Sequence, residues 1–292
     1  GGGLLERGAG SGRLALVLLR ELEALGRAPA RYLILEVSPD LRQRQQALLQ
    51  SEVPGLLPRV TWLEALPEAF SGVVLGNEVL DALPVHLLYR DAAGTFERGV
   101  VWRDGLAWED RPLAPGPLRD LASTLPETGG YLTEACPDAA ALVASLGERL
   151  RHGLLLLLDY GFPAAEYYHP QRHMGTLKVH YRHHSLDDPF HLPGLADLTA
   201  HVDFSAIARA GAEAGLDLLG YTSQGNFLLN GGLLDLLAEM RPGTREYLAA
   251  AAAVQRLVQP SEMGEAFKAI GLGRGLEAAP AGFGRGDRRA AL

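Results

Sequence analysis

Short apolar runs alternate with amphipathic segments through the first 80 residues. The runs GLLER, RYLILEV, RVTWLEA and SGVVLGN have the length of buried strands. Between them, leucines spaced by three or four residues in GRLALVLLRELEALG predict a helix, and Ser38 followed by Pro39 is typical of the start of another. This strand–helix order predicts a parallel, doubly wound α/β sheet.

The pattern changes after residue 84. The runs VHLLYRD, TFERGVVWRD and LAWED alternate around Ala-Gly and Asp-Gly turns, which predicts antiparallel strands inserted into the α/β core. A helix over about 137–151 and the apolar run GLLLLLDYG return to the core pattern. Residues 163–200 are rich in His, Pro and Tyr without a period, which predicts a long loop or lid. Beyond them the sequence predicts a helix (VDFSAIARAGAEAGL), a strand (LDLLGYTS), helices (GNFLLNGGLLDLLAEM, TREYLAAAAAVQRLV) and a final edge strand (FKAIGLGRGL).

These changes predict five segments. The first half of the core spans 1–84, and an antiparallel insertion follows over 85–130. The core continues over 131–162, a lid or substrate insertion spans 163–200, and the rest of the core with added helices spans 201–292.

Composition narrows the class of protein. With 292 residues, 47% hydrophobic, the chain can bury a sizeable core. The net charge of −8 disfavours nucleic acid as a partner, and a lone Cys136 allows no intramolecular disulfide. No apolar run has membrane-spanning length and no signal peptide is present, so we expect a cytoplasmic protein without membrane contact. The chain has no initiator Met and starts almost inside a strand, from which we expect that an upstream segment is missing or disordered.

A glycine-rich loop, ERGAGSGR, follows the first strand. Gly8 and Gly10 fit a dinucleotide fingerprint, but Arg13 stands where its third glycine belongs, and no Gly-Lys pair follows to form a P-loop. The spacing of Gly8, Gly10 and Gly12 instead suits S-adenosylmethionine, which has no phosphate and needs a close backbone around its methionine part. We assign Glu6 and Ala9 to the same binding loop.

Acidic residues at the next strand ends suit the rest of that cofactor. A carboxylate at Glu36 can accept both ribose hydroxyls, and we add its neighbours Val37 and Ser38 to the binding set. Glu64, after the third strand, is the candidate for the adenine amino group. The alternatives are a solvated strand end for Glu36 and a tight turn for the glycines.

Asn77, Glu78 and Asp81 cluster past the fourth strand, where ligands bind in open α/β sheets. Carboxylates there can hold a cationic acceptor, take up its proton, or orient a nitrogen lone pair. A capped turn is the alternative. Asn77 stands at the border of the cofactor and acceptor sets, and we assign it to both.

Seven of the nine histidines fall within residues 169–201, most of them in the predicted lid. Their spacing matches no tight zinc motif and no cysteine pair accompanies them, so we predict no metal and favour a lid over substrate. A packed surface loop and a metal site are the alternatives. The seven residues are His169, His173, His180, His183, His184, His191 and His201.

Longer motifs reveal a family resemblance. NEVLDALPVH, LLLDYGFPAAEYYHPQR, GTLKVHYRH, AHVDFSAIA and GYTSQGNFLLNGG, together with the glycine loop, resemble the S-adenosylmethionine-dependent methyltransferases that include the mitochondrial complex I assembly factor and its bacterial MidA-type relatives. The resemblance implies a class I, Rossmann-like core with a mostly parallel seven-stranded sheet, inserted hairpins and a lid. It also implies that His201 and Asp203 lie near the acceptor pocket, although Asp203 alone fits a helix N-cap.

The resemblance implies methyl transfer from S-adenosyl-L-methionine to an arginine of a protein acceptor. The alternatives are a small-molecule or RNA acceptor, and a non-catalytic assembly protein on the same fold. Apolar positions in GNFLLNGGLLDLLAEM allow a homodimer, with core packing as the alternative. Two departures from the family are expected: Arg7 stands where a smaller or apolar residue is usual, and the N-terminal helical region usual before the first strand is expected to be missing.

Overall fold

The computed structural model describes residues 2–181 and 184–292. The chain forms two compact units. The core unit comprises Gly1–Val79, Val143–Asp159 and Ala208–Ala290, and the insert unit comprises Leu80–Leu142, Tyr160–Ile207 and Ala291–Leu292.

Within the described residues the strands are β1 (Gly3–Arg7), β2 (Tyr32–Leu35), β3 (Val60–Leu63), β4 (Phe70–Asn77), β5 (His86–Asp91), β6 (Gly94–Trp102), β7 (Leu106–Pro112), β8 (Tyr131–Ala135), β9 (Leu150–Phe162), β10 (Lys178–Tyr181), β11 (His184–Leu186), β12 (Asp197–Thr199), β13 (Val202–Asp203), β14 (Asp217–Ser223) and β15 (Phe267–Arg274).

The α-helices of the same residues are α1 (Arg13–Ala24), α2 (Pro39–Glu52), α3 (Pro117–Thr124), α4 (Pro137–Arg149), α5 (Ala164–Tyr167), α6 (Phe204–Glu213), α7 (Gln224–Asn230), α8 (Leu233–Ala238), α9 (Arg245–Val258) and α10 (Met263–Ala266). None of these helices combines the length and the hydropathy that crossing a membrane requires.

The core unit is built on the sheet order β14-β15-β9-β4-β1-β2-β3. Strand β1 lies between β4 and β2 and pairs in parallel with both, and β14 pairs with β15 antiparallel. The predicted mostly parallel sheet is therefore confirmed, although over the described residues it has eight strands rather than seven, because β13 pairs with β9. The prediction that FKAIGLGRGL is an edge strand is wrong, because β15 lies between β14 and β9. Its glycines accommodate close neighbours: a Cβ at Gly271 would lie 2.7 Å from the Phe283 ring.

Apolar strands and one stripe of α1 form the first core. Strand β1 is nearly continuously buried, as parallel strands covered on both faces are. Ala15, Leu16 and Leu19 of α1 pack with Leu4 and Ile34 of the sheet. This packing holds the turn between β1 and α1 at the carboxyl end of β1, where ligands bind in open α/β sheets.

The insert unit contains a second sheet, in the order β7-β6-β5-β8 with antiparallel pairing. The predicted inserted strands are therefore confirmed. A small core of Leu88, Ala122, Leu125 and Tyr131 joins this sheet to α3.

The segment predicted as a loop or lid has regular structure. Strands β11, β10 and β12 form a three-stranded antiparallel sheet, so the loop prediction is wrong over these strands. They have three or four residues each, too few to show a period of two in the sequence. At the end of the segment, β13 pairs in parallel with β9 through Val202 and Gly161.

Candidate functional site

The glycine loop leaves β1 with three left-handed residues. Gly8, Gly10 and Gly12 have φ values of +73°, +50° and +81°. A Cβ at Gly8 would lie 2.8 Å from Val79 Cγ2, whereas a Cβ at Gly10 would have no heavy atom within 4 Å. Ala9 between them is buried. The loop therefore packs tightly at Gly8 and opens at Gly10 onto space that a ligand can occupy.

Glu36 directly follows β2, and hydrogen bonds to both of its oxygens hold the carboxylate in place. The side chain is buried, Oε1 accepts from the Ser38 backbone N–H at 2.8 Å, and Oε2 accepts from Gln45 Nε2 at 3.1 Å. Ser38 Oγ in turn accepts from the Leu41 N–H and caps α2. Because a carboxylate oxygen accepts more than one hydrogen bond, both oxygens retain capacity for ligand hydroxyls. Val37, next in the chain, is 77% exposed.

Gln45 connects the glycine loop with Glu36, and sequence reasoning missed it. It is fully buried, and its Nε2 donates to the Gly10 carbonyl at 2.8 Å as well as to Glu36. Its Oε1 accepts from Trp62 Nε1 at 2.9 Å. Trp62 also packs against the hydrophobic core, so it anchors this network from the third strand. A glutamine in the polar run RQRQQALLQ carries no signal that distinguishes it from its neighbours.

Two acidic residues predicted for the cofactor have protein partners. Glu6 is buried, and its Oε2 accepts from the Tyr32 hydroxyl at 2.6 Å. Burial raises the pKa of this carboxyl, and the Tyr32 bond opposes that rise in part. Glu64 is exposed and forms an ion pair with Arg42 at 3.0 Å. The structure therefore places Glu6 as a support beneath the loop and Glu64 at the surface.

The end of β4 is strained at Glu78. This residue has φ +50°, uncommon for a side chain other than glycine, and its N–H donates to the Leu158 carbonyl at 2.9 Å. Asn77 Nδ2 donates to Glu78 Oε1 at 3.2 Å. The following N–H, of Val79, donates to the buried carboxylate of Asp159 at 3.1 Å. Such strain costs about 1–3 kcal/mol and is concentrated at functional sites.

In the insert unit, Tyr160 contacts both Asp81 and His201. The Tyr160 hydroxyl donates to Asp81 Oδ2 at 2.8 Å, and the His201 ring stands edge-on to Tyr160 with centroids 5.1 Å apart. Burial raises the pKa of Asp81, against the lowering effect of the Tyr160 bond. Asp203 takes the N-cap position that the sequence allowed, since its Oδ1 accepts from the N–H groups of Ser205 and Ala206.

A cavity of about 650 Å³ in the insert unit includes Asp81 in its lining. Most of the remaining lining is apolar, with Trp108 and Phe190 in ring contact at 4.7 Å. Pockets of this volume hold small ligands or single large side chains.

The histidines are dispersed. His201 contacts aromatic rings and His191 lies 6.3 Å from the Tyr181 ring, centroid to centroid. Over residues 2–181 and 184–292, no group of three or more His, Cys, Asp or Glu is placed to hold a metal ion. His183 lies outside the described residues.

A family model of S-adenosyl-L-methionine-dependent methyltransferases matches residues 1–222. The chain belongs to this family. The resemblance, the α/β fold class and the cofactor expected from the sequence are thereby confirmed. The matched residues include the glycine loop, Glu36 and Asn77–Asp81.

Curated relatives of the methyltransferase are named protein arginine methyltransferase NDUFAF7, mitochondrial. The Danio rerio protein is 30% identical over 307 residues, with 91% of this chain and 67% of the relative covered. The Mus musculus protein is 31% identical over 306 residues, with 90% and 65% covered. The chain thus spans about two thirds of the length of these relatives.

A solved structure is more similar. A Burkholderia thailandensis protein crystallised with S-adenosyl-homocysteine is 49% identical, with a TM-score of 0.96 over 99% of this chain and 76% of that chain. A native crystal structure from the same organism has the same identity and TM-score, over 99% and 78%.

The residues present fit S-adenosylmethionine. The open position at Gly10 is a cradle that any larger side chain would fill, and the Glu36 carboxylate offers acceptors for two hydroxyls. Glycine loop and carboxylate are held together by Gln45. These groups suit the uncharged ribose and the closely held methionine chain of S-adenosylmethionine.

Proposed function

We propose that this methyltransferase modifies an arginine side chain of a protein acceptor. The observation that carries the proposal is the strained Glu78, whose carboxylate Asn77 orients at the carboxyl end of β4. A carboxylate fixed in this way suits a guanidinium, which pairs with carboxylates through parallel N–H donors. The names of the curated relatives support the same acceptor.

The cofactor half has a binding role. S-adenosylmethionine supplies an electrophilic methyl group on a positively charged sulfur. Glu36 would accept from the ribose hydroxyls, and the backbone at Gly10 would hold the methionine part. Gln45 holds these two elements together, because its Nε2 donates hydrogen bonds to the Gly10 carbonyl and to the Glu36 carboxylate. Such positioning is the main source of acceleration expected for a methyl transfer.

The acceptor half binds a cation and moves a proton. Glu78 pairs with the guanidinium and aligns one of its nitrogens. As the nitrogen–carbon bond forms and the sulfur–carbon bond breaks, that nitrogen would lose a proton to the paired Glu78 carboxylate. In the insert unit, burial raises the pKa of Asp81, and the Tyr160 hydroxyl orients its carboxyl.

The test is transfer of a tritiated methyl group to a bacterial lysate, with and without ribonuclease, followed by mass spectrometry of the labelled product. We expect label in methylarginine that survives ribonuclease. Glu78→Gln lowers the transfer rate at least tenfold, whereas Glu68→Gln, at an exposed carboxylate, leaves it unchanged. Label that is lost with ribonuclease would indicate an RNA acceptor, and label found only in small molecules would indicate a small-molecule acceptor. Either result would overturn the proposal of a protein arginine. S-adenosylhomocysteine binding without any transfer would indicate an assembly protein.

A further inference from the structure

One wall of the cavity in the insert unit is apolar and is formed by cross-strand pairs of β6 and β7. On β6 and β7, Val100 stands opposite Trp108 and Trp102 stands opposite Leu106. Residues directly opposite each other in an antiparallel pair share one face of the sheet. Val100, Leu106 and Trp108 line the cavity, and Leu198 of β12 lines it as well.

This apolar surface continues outside the cavity. Trp102 is 77% exposed on the same strand face but is not part of the lining. Val100 is 49% exposed at the cavity itself. Contiguous apolar surface of this kind marks binding sites for other molecules. A small molecule held in the cavity would leave Trp102 in water, whereas an extended chain crossing the strands would cover it.

The charges around the cavity favour a cationic chain. Asp81 and Glu97 contribute carboxylates to the lining, and Glu97 is 2.6 Å from His86 Nδ1. Arg98, also in the lining, is neutralised by a bidentate pair with Asp110 at 2.7 and 2.8 Å. Acidic groups beside an apolar wall complement a segment with an arginine and a large apolar side chain.

We propose that this cavity binds a large apolar side chain of the acceptor protein, a few residues from the arginine that is methylated. The inference rests on the proposed function and adds the sequence preference of the acceptor. The spacing follows from the lining itself, because the carboxylates of Asp81 and Glu97 lie in the same cavity as the apolar wall. A cationic side chain that pairs with these carboxylates is therefore within a few residues of the anchor in the acceptor sequence.

The experiment uses fluorescein-labelled nine-residue peptides of glycine with a central arginine, and with Phe or Asp placed in turn at each other position. Binding is followed by fluorescence anisotropy with S-adenosyl-homocysteine present, and methylation of the same peptides by mass spectrometry. We expect a Phe peptide within four residues of the arginine to bind at least about tenfold more tightly than its Asp counterpart. We expect the KM for methylation to follow the same order.

Variants tie the preference to the cavity. Val100→Asp and, independently, Leu198→Asp remove the advantage of the Phe peptide and leave the affinity for S-adenosyl-homocysteine unchanged. Val17→Asp is the matched control, since Val17 is comparably exposed on α1 of the core unit, and it keeps the advantage. A thermal unfolding transition recorded for each variant is the check that it is folded.

The outcomes separate this inference from the proposed function. Equal binding of Phe and Asp peptides overturns the anchor, and so does a preference that survives both cavity variants. N-acetyl-phenylalanine amide bound as tightly as the peptide indicates a small-molecule site and also overturns it. A preference for Phe without methylation of any arginine supports the anchor and counts against arginine as the acceptor.

Discussion

Gln45→Met is the most direct test of how the two cofactor segments are joined. Methionine has nearly the length and shape of glutamine, so the variant removes hydrogen bonds without opening a large cavity. Three bonds are lost: those to the Gly10 carbonyl at 2.8 Å and the Glu36 carboxylate at 3.1 Å, and that from Trp62 Nε1 at 2.9 Å.

The expected loss of stability follows from these bonds. Two neutral bonds contribute about 1 kcal/mol each, and the bond to the carboxylate contributes about 2 kcal/mol. The extra apolar surface that methionine buries offsets about 1 kcal/mol of this. We therefore expect the free energy of unfolding to fall by about 3 kcal/mol. Because Glu36 and the Gly10 carbonyl lose a common anchor, the Kd for S-adenosyl-homocysteine should rise about tenfold.

Urea unfolding followed by tryptophan fluorescence gives the first quantity, and titration calorimetry with S-adenosyl-homocysteine gives the second. Gln46→Met is the control, since Gln46 is exposed on the same helix, and it should change stability by less than about 0.5 kcal/mol. The reasoning is refuted if Gln45→Met unfolds like the wild type. If stability falls but the Kd is unchanged, the network supports the fold and does not prepare the site.

Three further predictions concern other parts of the molecule. Gly10→Ala should weaken S-adenosyl-homocysteine binding at least about tenfold in calorimetry, since its methyl enters the ligand space, yet cost only about 1 kcal/mol of stability for the positive φ. Glu6→Gln keeps an acceptor for Tyr32 and removes a carboxyl whose pKa burial raises, so its stability in urea relative to wild type should grow as pH rises above 4.5 and level off above the raised pKa. Glu134→Leu removes the acceptor of the N–H groups of Thr176 and Leu177, so these amides should exchange with deuterium faster, with a loss of about 3 kcal/mol.

Each of these has a result that contradicts it. An unchanged Kd for Gly10→Ala would show that the open position is not used by the cofactor. If wild type gains stability over Glu6→Gln as pH rises, Glu6 is stabilised as an anion and the sign is wrong. Unchanged exchange at Thr176 in Glu134→Leu would show that other contacts hold this segment. Thr95→Val, elsewhere in the insert unit, is the exchange control, since the Arg90 bond it removes lies on β5 and β6.

The sequence by itself determined those candidate site residues that stand at the ends of strands. The glycine loop and Glu36 follow β1 and β2, and the Asn77–Glu78 pair stands at the end of β4. Strands of a parallel sheet bring their carboxyl ends to one edge. Local spacing therefore predicted the cofactor class, and the family match confirmed it. The helix cap at Asp203 is equally local, because its carboxylate bonds N–H groups two and three residues away.

Only the tertiary structure decided which side chains support these groups. Gln45 meets Gly10, 35 residues away, and Glu6 meets Tyr32, 26 residues away. The sheet position of β15 and the three short strands of residues 178–199 also depend on partners distant in sequence. Periodicity reports which face of an element is apolar, but the partner of a buried polar atom is set by how elements pack in space. That is why the strand ends could be predicted and the network beneath them could not.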